Sequence, residues 1–131
     1  MNTENPYRVY PLSGGCQAIV RDETRHYYGG YYHVRLQVEA EIALMPEWFE
    51  SESLYKDALN RHGSAIRFYR LLEKMAVPEW EIVAVRQSLI NDFEINLVPY
   101  LLRPDFPRRF VTGECAKSLK SSATRYPVFR S

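Results

Sequence analysis

The chain has 131 residues, 46% of them hydrophobic and 25% charged, with a formal net charge of +1. That length suits one domain with its own core, and that balance excludes a disordered chain. The two cysteines, Cys16 and Cys115, share no motif, which excludes a disulfide scaffold or a four-thiolate metal site within one chain and leaves two reduced thiols.

Residues 1 to 6 lack the basic and apolar segments of a secretory signal, and no later apolar stretch approaches the ~18 residues of a membrane span. The expectation is a soluble, cytoplasmic protein with no membrane partner. Residues 1–13 hold Pro6 and Pro11 among scattered Tyr and Val, and read as an irregular arm that can pack Tyr7 and Tyr10 on the core.

A β-hairpin follows over about 16–44. From Tyr31 the pattern is regular: Tyr32, Val34, Leu36, Val38, Ala40, Ile42 and Leu44 alternate with Tyr31, His33, Arg35, Gln37, Glu39 and Glu41, which is a long half-buried strand. Residues 16–26 form a weaker strand, and Gly29-Gly30 supplies a turn. A strict two-residue loop would set Arg21, Glu23 and Arg25 beside Leu36 and Val38, burying charge on the apolar face. An odd loop with one residue in a bulge instead sends Cys16, Ala18, Val20 and Thr24 to that face and sets Glu23 near Arg35, with Arg21 near Gln37 and Glu39. The odd register is preferred, and Asp22 on the apolar side is its unexplained cost.

Ser51 can cap a helix over about 51–62 with Leu54, Tyr55, Ala58 and Leu59 on one side, closed by Gly63. Ser64 can cap a second, about 64–76, with Ala65, Phe68, Tyr69, Leu72, Met75 and Ala76 on a stripe, although 66–70 also fits a short strand. A third helix, about 78–98, begins at Pro78 with Glu79 and Glu81 in its first turn and stops before Pro99. Pro99, Pro104 and Pro107 then punctuate an apolar segment read as an extended strap, in which 108–112 could add a third strand. From about 116 the pattern is that of a mobile basic tail.

The small net charge hides an asymmetry: residues 1–102 carry 10 basic and 14 acidic side chains, residues 103–131 carry 7 and 2. Arg103, Arg108 and Arg109, interleaved with Phe106 and Phe110, and Lys117, Lys120 and Arg125 beyond them, could hold phosphate or nucleic acid, or fold back on the chain's own acidic surface. No nucleic-acid-binding motif accompanies them.

Four tyrosines, Tyr27, Tyr28, Tyr31 and Tyr32, crowd the hairpin turn beside His33 and Arg35. They could stack on a ligand or anchor a protein partner. Strand propensity also explains them, with two of the four expected to face the core. His26 and His33 would meet only in the two-residue register, so no metal site is expected. No nucleophile elbow, phosphate loop, dinucleotide fingerprint or zinc-protease motif occurs, and no cofactor is implied. Glu39 and Glu41 share a strand face, the pattern of a solvated sheet surface.

These readings converge on a single α+β domain, its hairpin packed against three helices. The expected role is a non-enzymatic interaction or ligand-binding module that uses the tyrosine-rich hairpin, with a homodimer or another protein as partner. A nucleic-acid-binding protein using the basic segment is the first alternative, and a small enzyme whose site the sequence does not display is the second.

Overall fold

The structure, a computed structural model, describes the backbone of residues 6–130 and the side chains of residues 6–118. It is an α+β fold: strands β1 (Arg8–Pro11), β2 (Gln17–Asp22), β3 (Arg25–Tyr28), β4 (Tyr31–Ala43) and β5 (Ala65–Pro78), with helices α1 (Glu52–His62), α2 (Ile82–Asn96), α3 (Val98–Leu101) and α4 (Phe106–Arg130). The strands form one antiparallel sheet in which β1 pairs β2, while β2 and β3 share one edge of β4 and β5 takes the other. The chain divides into two compact units, Met1–Glu41 with Arg67–Pro104 and Ile42–Ile66 with Asp105–Ser131.

In the first unit the odd hairpin register holds. Val20 faces Val38, Arg21 faces Gln37 and Asp22 faces Leu36, and the extra residue sits in a bulge between His26 and Tyr28. This register is the one that buries Ala18, Val20, Val34, Leu36 and Val38 on one face while Arg21, Glu23, Arg35, Gln37 and Glu39 stay on the other. Helix α2 covers the apolar face with Ile90 and Phe93, the latter meeting Tyr10 edge to face at 5.5 Å. The cost at Asp22 is met there too, since its carboxylate lies 2.7 Å from Arg86 Nε of α2.

In the second unit, Ser51 caps α1 by accepting from the Leu54 N–H at 3.1 Å, and Gly63 at φ 81° closes it. The buried residues of this unit include Ile42, Leu44, Ala58, Phe106, Val111 and Cys115.

Three expectations are corrected. Residues 64–76 are not a helix: Ala65–Pro78 is strand β5. Leu71, Leu72, Glu73 and Lys74 favour helix locally, but the second edge of the long β4 needs a partner for its backbone groups, and ladder pairing outweighs propensity. The segment after Pro104 is not an extended strap and adds no strand at 108–112, because Pro107 occupies the first turn of α4, where its missing N–H costs nothing, and Phe106, Phe110, Val111 and Cys115 fall at helical spacing. The arm at 1–13 is not wholly irregular, since Arg8–Pro11 pairs with β2; residues 1–5 lie outside the described residues. The expected mobile tail from about 116 falls largely on side chains outside the described ones, on a backbone that is helical as far as Arg130.

Candidate functional site

The hairpin tip is built by its bulge. Gly29 takes φ 55°, and His26 Nε2 lies 2.6 Å from the Gly29 carbonyl oxygen, an acceptor only, so this nitrogen carries the proton. The His26 ring also meets Tyr32 edge to face at 5.3 Å, which holds the turn from one side.

Past the bulge Tyr28 faces Tyr31, and both lie on the open side of the sheet. Two of the four tyrosines were expected to face the core; only Tyr32 is half-buried, while Tyr27, Tyr28 and Tyr31 are 53%, 74% and 45% exposed. The position of the bulge accounts for the difference, because an extra residue between His26 and Tyr28 turns Tyr28 to the face opposite the one that simple alternation from His26 would give it.

Two further residues join this end of the unit, and the sequence reading missed both. The Glu79 N–H donates to the Gly30 carbonyl at 3.2 Å, which brings the neighbouring Trp80, 83% exposed, to the turn. Met75 of β5, 47% exposed, lies two residues along the strand from Glu73, the partner of His33. The only sequence signal for Trp80 was a large aromatic in the first turn after Pro78, and its neighbours there come from pairing distant in sequence.

His33 and Arg35 do not belong to that aromatic surface. His33 is 8% exposed, its Nε2 2.7 Å from Glu73 Oε1, and Arg35 lies 3.8 Å from both Glu73 and Glu23. Arg67 pairs with Glu39 at 3.1 Å, and Gln37, with its amide nitrogen toward Glu23 and oxygen toward Arg67, joins the two groups. An imidazole held by a carboxylate is half of a general-base pair, but this one is closed to a substrate and embedded in a ladder of opposite charges. Glu39, spent on Arg67, is not one of a free carboxylate pair. His26 and His33 lie on opposite faces, and among the described residues no three His, Cys, Asp or Glu side chains gather in a way that could hold a metal ion.

Arg103 follows α3 in the first unit, whereas Arg108, Arg109 and Lys117 lie on α4 in the second. Arg109 pairs with Asp105 at 3.5 Å and Lys117 with Glu114 at 2.9 Å. The side chains of Lys120 and Arg125 lie outside the described residues. Both cysteines are free, and burial pushes both thiols above the ordinary range. Among the described residues no helix is long and apolar enough to cross a membrane.

Comparison with protein families, with curated proteins and with solved structures finds no match. The functional reading therefore rests on the chain's own geometry.

Proposed function

We propose that this protein is a non-enzymatic interaction module whose recognition surface is the aromatic tip of the β3–β4 hairpin, and that its partner is a second copy of the chain. The observation that carries the reading is the exposure of Tyr27, Tyr28, Tyr31, Met75 and Trp80 at one end of the first unit. Tyr, Trp and Met are the side chains enriched at the centres of protein interfaces, where they contribute large contact area at small entropic cost. The Tyr28–Tyr31 pair is also suited to meet itself across a two-fold axis, because each ring supplies both a face and a hydroxyl.

The nucleic-acid reading has less support, since Arg109 is paired with Asp105 just before its helix and Lys117 with Glu114 on it. A Tyr28→Ala, Tyr31→Ala variant tests the proposal in sedimentation velocity, with circular dichroism to confirm the fold. The wild-type chain is expected to self-associate and the variant to remain monomeric; equal association by both sinks the proposal.

A further inference from the structure

The second unit contains a cavity of about 330 Å³, at the lower end of the range for small-ligand sites. Its walls are Trp48 and Phe49 from the segment before α1, Leu54 and Ala58 from α1, and Cys115 and Ala116 from α4. Phe49 is braced by Tyr55, their ring centroids 5.5 Å apart, so the aromatic wall is held from behind.

The polar groups at this cavity are already engaged. Arg61 at its edge sends Nε and Nη2 to Asp57 Oδ2, each at 3.1 Å, and donates Nη1 to Ser118 Oγ at 2.6 Å. Its charge is therefore balanced within the unit and most of its donor fork is used. The Thr112 hydroxyl donates to the Arg108 carbonyl of its own helix at 2.9 Å. Glu50, exposed at the rim, opposes any anion that approaches. Cys115 forms part of the wall as a small apolar group, its thiol kept neutral by burial.

We propose that this cavity is a binding site for a small, uncharged aromatic molecule. The aromatic and aliphatic walls supply the contact area, while the compensated Arg61–Asp57 pair and Glu50 select against a carboxylate of similar size. The site lies in a different unit from the hairpin tip and does not depend on the function proposed for that tip.

The test uses indole as the neutral probe and benzoate as an anion of equal heavy-atom count. Alkylation of Cys115 in the full chain by N-ethylmaleimide is followed by peptide mass spectrometry, with Cys16 as the internal reference. With indole at about ten times its dissociation constant, Cys115 should react roughly tenfold more slowly while Cys16 is unchanged. Benzoate should leave both rates unchanged. Ala116→Phe, which fills the cavity from an exposed position on its rim, should remove the protection by indole.

Equal slowing of both cysteines, no slowing at all, or a Cys115 that does not react in the free chain would each overturn the site. So would protection that survives unchanged in Ala116→Phe. Protection by benzoate as strong as by indole would overturn the assignment to an uncharged ligand.

Discussion

The Asp22 carboxylate lies 2.7 Å from Arg86 Nε, so the acidic side chain that β2 sends to the helix-covered side of the sheet is met by a cation from α2. Both side chains are about one quarter exposed, at 29% and 24%. The pair's own contribution is modest, but stranding either member in that environment is costly. Arg86→Leu should therefore destabilise the chain by about 1–3 kcal/mol in urea denaturation. Adding Asp22→Val should restore most of the loss, and a double variant no better than the single would show that the pair is not the reason.

Ala76 has φ 55°, a left-handed conformation that costs a non-glycine residue roughly 1 kcal/mol, and it sits within β5. Ala76→Gly should accordingly stabilise the protein by about 0.5–1 kcal/mol. The sign is diagnostic. Were residues 64–76 helical, the same change would destabilise by about 1 kcal/mol, so a shift in the urea midpoint separates the two conformations.

Tyr10 donates its hydroxyl to Glu94 Oε2 at 2.7 Å, and its phenol is held well above the usual range, first by burial and then by that carboxylate. A group whose folded pKa is raised contributes stability that is complete below its unfolded value and fades as pH rises past it. The wild-type chain should therefore lose stability above about pH 10, where the unfolded tyrosine ionises and the folded one resists. Tyr10→Phe should cost about 1 kcal/mol at neutral pH and flatten that alkaline decline. A parallel decline in both proteins, measured by thermal melting across this window, would remove Tyr10 from the account.

The hairpin register was legible in the sequence because one register buries Arg21, Glu23 and Arg25 and the other does not, and desolvation of charge decides between them. The caps of α1 at Ser51 and Gly63 were legible for a similar reason, since each residue satisfies a local backbone requirement. Strand β5 was not, because 65–78 carries both a period near 3.6 and a period of 2, and the partner that chooses between them is β4, tens of residues away. Pro107 read as a break although it starts α4, as proline has the same local signature in both roles.

At the tip, the four tyrosines were visible but their faces were not. The position of the bulge, between His26 and Tyr28, decides which way Tyr28 points, and it is fixed by the Gly29 turn and by the His26 contact with the Gly29 carbonyl. His33 was grouped with the tyrosines by proximity in sequence, whereas its partner Glu73 comes from β5. Trp80 reached the tip through a single backbone hydrogen bond from Glu79 to Gly30, a contact that no local pattern announces.

The central claim, that the aromatic tip is where a second copy docks, is read most directly through Trp80. The chain has two tryptophans, so Trp48→Phe leaves Trp80 as the one indole reporter. Its emission should shift to the blue as concentration rises from about 1 μM to about 1 mM, the range of moderate to weak self-association. The shift should vanish when Tyr28→Ala and Tyr31→Ala are added. Emission that stays that of a solvated indole throughout the range, in a folded chain, would contradict the claim.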